Sequence, residues 1–150
     1  MFLLNNTKIN QDVVLPLNKT AEFFDIYKSL AKENGLIATA FGHAADGNYH
    51  IHFMYDSSNP TQKDNAQKAM HKAIHTAIKL GGAISGEHGI GLLKAKYLAS
   101  QISATQIEIM KSIKKVFDPN NILNPHTIFN NIDFSKENPI RDLKLPWDKH

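Results

Sequence analysis

Apolar positions along the chain alternate between the spacing of strands and the spacing of helices. Asp12 to Leu17 (Asp-Val-Val-Leu-Pro-Leu) predicts a short strand ended by Pro16. Asn18 or Thr20 is placed to cap a helix that carries Phe23, Phe24, Ile26, Tyr27 and Leu30 on its apolar side, and Gly35 after Asn34 stops it. Leu36 to Phe41 predicts a buried strand and Tyr49 to Tyr55 an alternating one, with turn chemistry at Ala45-Asp46-Gly47-Asn48 between them. Pro60 suits the first position of a long helix whose Ala66, Met70, Ala73, Ile74, Ala77 and Ile78 share a face. Gly81-Gly82 ends that helix, and Ala83-Ile84-Ser85 predicts a fourth strand.

That order is β-α-β-β-α-β, which predicts an α+β fold of the ferredoxin-like kind: an antiparallel sheet with two helices on one face. Additional C-terminal helices follow. Ser103-Ala104-Thr105-Gln106 forms a capping box ahead of Ile107, Met110, Ile113 and Phe117, and Asp118-Pro119-Asn120-Asn121 stops that helix. Residues 1–130 read as one domain and residues 131–150 as an irregular tail, with Trp147 near its end placed to pack on the domain or a partner.

Composition narrows the class. At 150 residues, 42% hydrophobic and 21% charged, the chain can bury a core of its own. The net charge of +3 is scattered, with local density only at Lys94/Lys96 and from Lys111 to Lys115, and no aromatic residues interleave with it, which argues against a nucleic-acid partner. The absence of cysteine excludes disulfide frameworks and thiolate metal sites and fits a cytoplasmic protein. No apolar stretch approaches the ~20 residues of a transmembrane span, and Met1 to Leu4 is too short for the core of a signal peptide.

Two segments do not fit ordinary core or surface: Gly42-His43-Ala44-Ala45-Asp46-Gly47-Asn48-Tyr49-His50 and Ser85-Gly86-Glu87-His88-Gly89-Ile90-Gly91. Imidazole and carboxylate suit a borderline divalent metal, and three protein ligands with an open position make a catalytic arrangement. His43, His50 and Glu87 can supply the three, leaving His88 for proton transfer. In a ferredoxin-like sheet the first strand separates the fourth strand from His50, so Glu87 and His88 must reach one strand across. His52 shares a strand face with His50 and reads as a half-buried strand histidine or a further ligand. His71 and His75, four apart on a helix, read as surface residues, and His126 as a loop residue. The glycines at 86, 89 and 91 are in the wrong order for a dinucleotide loop and read instead as a sharp turn with close backbone approach. Ser85 is not in a nucleophile elbow.

These segments, followed by Phe117-Asp118-Pro119-Asn120-Asn121-Ile122-Leu123-Asn124-Pro125, resemble the C-terminal domain of FAD-linked 2-hydroxyacid dehydrogenases and oxidases, the group of D-lactate dehydrogenase, the glycolate oxidase flavin subunit and D-2-hydroxyglutarate dehydrogenase. The resemblance runs from about Asp12 to Phe129, with Ala45 where the family commonly has glycine. It implies zinc or manganese held by His43, His50 and Glu87, a small 2-hydroxy acid substrate met by Asn48, His88 as the base, and Asn124 on the side facing the flavin. It also implies an FAD-binding domain or subunit as partner, so that the chain is expected to be a fragment or split subunit, inactive alone, with any membrane association made through a partner. Two other readings stand beside it: a non-catalytic subunit docking onto a separate flavoprotein, and a metal-dependent hydrolase using the same cluster.

Overall fold

The computed structural model describes residues 6–125 and 127–129. They form two compact units that meet in sequence between Gly89 and Ile90. The first holds β1 (Thr7–Val14), a 3-10 turn (Leu17–Lys19), α1 (Thr20–Glu33), β2 (Ile37–His43), β3 (Asn48–Tyr55) and α2 (Pro60–Lys79); the second holds α3 (Ala95–Gln101) and α4 (Ala104–Phe117). The fold is α+β, with a small antiparallel sheet and helices. His126, and the tail with Trp147, lie outside the described residues.

The sheet has the order β1-β3-β2, with β3 antiparallel to both neighbours. The alternation of β3 assigns its two faces. Phe53 packs against Tyr27 with tilted rings and Tyr49 meets Phe24 edge-on, so the odd-numbered residues face α1. Asn48, His50 and His52 therefore share the opposite face. Phe23, Ile51, Phe53 and α2's Ala66, Ala69, Ala73 and Ala77 are fully buried. The small alanines let α2 approach the sheet closely. Tyr27 anchors α1 to two strands at once, its hydroxyl lying 2.5 Å from the His52 carbonyl and 3.2 Å from that of Thr39.

Local signals place α2 well: the Asn59 side chain accepts from Thr61 and Gln62 N–H, Pro60 opens the helix, and Ile78 sits at the margin of its buried face. Gly35 takes φ +64° just after α1, as its stop requires. Five expectations need correction. The second strand, expected to be buried, is mostly exposed along Ile37–His43, because it is an edge of the sheet. β1 begins at Thr7 rather than Asp12, because its first half is polar and carries little apolar signal. It ends at Val14, since Leu15 N–H turns to the Gly47 carbonyl. Neither Asn18 nor Thr20 caps α1; the 3-10 turn feeds the chain into the helix, Lys19 stands at the cap without a side-chain bond, and Thr20 is the first helical residue. The fourth strand shrinks to one antiparallel bridge, Ala83 with Val14, on the β1 edge away from β3. The position is the ferredoxin-like one, but the backbone after it is drawn to a side chain.

In the second unit the capping box of Ser103 and Gln106 opens α4 as expected. The expected apolar face of α4 buries nothing: Phe117 is 82% exposed and Ile113 55%. Asp118 closes the helix with its carboxylate, which accepts from Ile122 N–H at 2.8 Å and Leu123 N–H at 3.0 Å and pairs with Lys114. Asn121 and Asn124 take positive φ in the turn that follows.

Close packing at Gly82 and open space at Gly35 predict different costs. A Cβ at Gly82 would lie 2.2 Å from the Val14 carbonyl oxygen, whereas one at Gly35 would meet nothing within 4 Å. Gly82→Ala is expected to lower the unfolding free energy by about 3 kcal/mol, and Gly35→Ala by about 1 kcal/mol from its left-handed φ alone. Denaturant titration measures both, and equal losses would contradict the packing assignment. A second prediction concerns Asp118, whose pKa is lowered by the Lys114 ammonium and then by the Ile122 and Leu123 amides. Its stabilisation is present above the ordinary aspartate value of about 3.9 and is lost as pH falls through its lower folded value. The Ile122 and Leu123 amide resonances should follow that titration in the wild type and stay flat in Asp118→Asn. A midpoint at or above the ordinary value would show that the cap does not form.

Candidate metal centre

Strand register builds the cluster. On β3, His50 stands between Asp12 of β1 and Phe41 of β2, all three on the face away from the helices. Two pairs along, on the same face, Asn48 stands opposite His43, which ends β2. The tight turn that brings these two together is closed by Asp46 and Gly47 N–H donating to the His43 carbonyl, and Asp46 Oδ1 accepts from Asn48 N–H. Glu87 and His88 arrive from the segment after the Ala83 bridge, reaching across β1.

The ligand atoms of His43, His50 and Glu87 all lie within 4.8 Å of one another. Glu87 Oε1 is 3.0 Å from His50 Nε2, so two of the three are already in hydrogen-bond contact. Metal–ligand bonds of about 2.0–2.2 Å hold ligand atoms up to roughly 4 Å apart, a spread that small side-chain rotations reach. Two imidazole nitrogens and one carboxylate oxygen are a donor set suited to zinc or manganese. His43 and Glu87 are exposed and His50 half-buried, which leaves the cluster open to a small ligand. His88 lies against it, its ring stacked 5.0 Å from that of His50 and its Nε2 3.9 Å from Glu87 Oε1.

Asn48 is buried, and its side-chain Oδ1 has no hydrogen-bond partner. Gly86 lies directly over it: a Cβ there would fall 2.3 Å from that oxygen. Glycine at 86 thus serves close approach to another side chain, refining the expectation of a close approach to a ligand. Asn124 belongs to the second unit, where its carbonyl accepts from Thr127.

Among the described residues, the other histidines stay outside the cluster. His52 is 2% exposed, more deeply buried than expected, with Phe41 stacked on its ring. Burial, then the Lys8 charge, pushes its pKa below the ordinary histidine value. His71 and His75 contact each other edge-to-face on α2.

Asp12, expected only as the first residue of a strand, anchors the loop that carries Glu87 and His88. It has no solvent exposure, and Oδ2 accepts from the backbone N–H of Gly86 (2.7 Å), Glu87 (2.9 Å) and His88 (3.3 Å) and from the Ser85 hydroxyl (3.2 Å). Its other oxygen, Oδ1, is 3.4 Å from His88 Nδ1. The available signal was an acidic residue directly before the apolar run Val13-Val14-Leu15, a place where a charge needs partners.

Comparison with known proteins places the chain in a family. Residues 4–128 match the family described as FAD linked oxidases, C-terminal domain. A D-lactate dehydrogenase of Anaerostipes hadrus is 47% identical over 78% of the chain and 25% of its own length. A mitochondrial D-lactate dehydrogenase [cytochrome] of Arabidopsis thaliana is 39% identical over 76% of the chain and 20% of its own length. The glycolate oxidase subunit GlcD of Bacillus subtilis is 36% identical over 84% of the chain and 27% of its own length. The chain therefore spans about a fifth to a quarter of these curated relatives. Among the described residues no helix is long and apolar enough to cross a membrane. With most of its length inside the family match, the chain belongs to the C-terminal domains of FAD-linked oxidases.

Proposed function

We propose that residues 1–130 act as the substrate- and metal-binding part of an FAD-dependent oxidoreductase that converts a small D-2-hydroxy acid, of the lactate, glycolate or 2-hydroxyglutarate type, to the 2-oxo acid. The observation that carries this reading is the convergence of His43, His50 and Glu87 beside His88. The names of the relatives, D-lactate dehydrogenase and glycolate oxidase subunit, support the substrate class. Family membership favours it over a free-standing hydrolase.

In this reading His43, His50 and Glu87 hold the cation. A bound divalent metal supplies Lewis acidity that lowers the pKa of a hydroxyl, and the flavin of the FAD-binding part supplies the two-electron acceptor. His88 takes the proton of the substrate's 2-hydroxyl, a role suited to an imidazole near neutral pH. Asn48, with an unpartnered amide oxygen beside Gly86, helps to orient the substrate. Asn124 serves the flavin-facing side.

The reading requires an FAD-binding portion, and the second unit offers it a surface. Val116, Phe117, Ile122 and Leu123 are 64–82% exposed, an apolar group at the end of α4 in a chain that spans a quarter or less of most of these relatives. We assign that surface to the FAD-binding portion of the enzyme.

The chain is expected to take up one equivalent of zinc or manganese in calorimetric titration, and His43→Ala or Glu87→Gln to weaken uptake by about 100-fold, as loss of a ligand does. Unchanged uptake in both variants would overturn the site. Reconstituted with the FAD-binding portion of the relative that is 47% identical, the chain is expected to support oxidation of a D-2-hydroxy acid but not its L-enantiomer. Val116→Ser combined with Phe117→Ser is expected to weaken that association while leaving metal uptake intact.

A further inference from the structure

We propose that Asp12 is a positioning residue that sets the tautomer of His88 while pinning the loop that carries Glu87. The inference deepens the proposed function, since it rests on His88 being the base. The two carboxylate oxygens divide the work. Oδ2 takes the three backbone N–H groups of Gly86, Glu87 and His88 and the Ser85 hydroxyl. Oδ1 faces His88 Nδ1 at 3.4 Å.

An ionised carboxylate can only accept hydrogen bonds, so the imidazole nitrogen facing it carries the proton. That leaves the lone pair of neutral His88 on Nε2, the nitrogen toward the cluster and the one available to take a substrate proton. Glu87 Oε1 lies nearer to His50 Nε2, at 3.0 Å, than to His88 Nε2, at 3.9 Å. A buried carboxylate behind the ring also stabilises the imidazolium that forms when the base acts. Asp12 itself is fully buried, while the His88 ring is half exposed.

Asp12→Asn separates the two roles. Three backbone N–H donors face the Oδ2 position, so the amide oxygen settles there and the loop is kept. The amide nitrogen then faces His88 Nδ1 and donates to it, which forces the ring proton onto Nε2 and removes the lone pair from the site. Asp12→Ala loses both roles.

Long-range proton–nitrogen correlation spectra of the 150-residue chain, recorded above the ordinary histidine pKa, read the tautomer directly. Wild-type His88 is expected as the Nδ1–H form and Asp12→Asn as the Nε2–H form, with zinc uptake within about threefold of wild type; Asp12→Ala is expected to weaken uptake by about tenfold or more, as loss of a group supporting a ligand does. In the reconstituted flavoenzyme, Asp12→Asn is expected to lower kcat by about 100-fold or more, with KM within about threefold. An Nε2–H tautomer in the wild type overturns the proposal without any variant having to fold, and so does an unchanged tautomer in Asp12→Asn. His88→Gln distinguishes the two levels: full activity there refutes His88 as the base, while the tautomer spectra still decide what Asp12 does.

Discussion

A carboxylate with no solvent exposure cannot stay charged unless its neighbours supply donors, and the geometry of the first unit follows from how Asp12 obtains them. The donors come from Ser85, Gly86, Glu87 and His88, more than 70 residues further along the chain. Backbone N–H groups that would otherwise extend a fourth strand along β1 turn to the side chain instead. That is why pairing on this edge stops after one bridge, Val14 with Ala83. The shortened strand and the placed Glu87–His88 pair have one cause.

Register completes the arrangement. Asp12 faces His50 across one strand boundary and Phe41 faces His50 across the other, so a single row of the sheet joins the loop anchor to the cluster. A slip of one residue in β3 would turn His50 toward the helices and bring Ile51 out, and the buried Ile51 and Phe53 forbid it. The core that stabilises the unit therefore also aims His50. Gly86 adds a second constraint by resting on the Asn48 amide, where any larger residue would force loop and strand apart.

Much of this was legible in the residues. Pro60 at a helix start, Ser103 with Gln106 and the Asp46-Gly47 turn act within a few positions of themselves, and the structure bears each of them out. His43, His50 and Glu87 could be grouped because their residue types are chemically specific, although only the strand order brings them together. The polar half of β1 could not be seen, because a strand buried weakly on one side leaves no alternation to read. The apolar stripe of α4 was legible as a pattern, but a pattern cannot tell whether the structure described contains what would cover it.

Asp12 and Asp118 show where the boundary of legibility falls. Both are aspartates whose carboxylates accept backbone N–H groups and meet a nitrogenous side chain, Asp12 that of His88 and Asp118 that of Lys114. Asp118 finds its donors four and five residues on, at Ile122 and Leu123, so Phe-Asp-Pro-Asn announces a helix end by local spacing alone. Asp12 finds its donors across the whole length of two helices and two strands, and nothing near it in sequence marks the role. The chemistry is the same in both places; only the loop closure differs. A nonlocal carboxylate that holds a loop is therefore hidden from motif reading, while the residues the loop presents, Glu87 and His88, are conspicuous. The positioning residue becomes visible once the register of β1 against β3 is known, because that register puts Asp12 beside His50 and so within reach of the arriving loop.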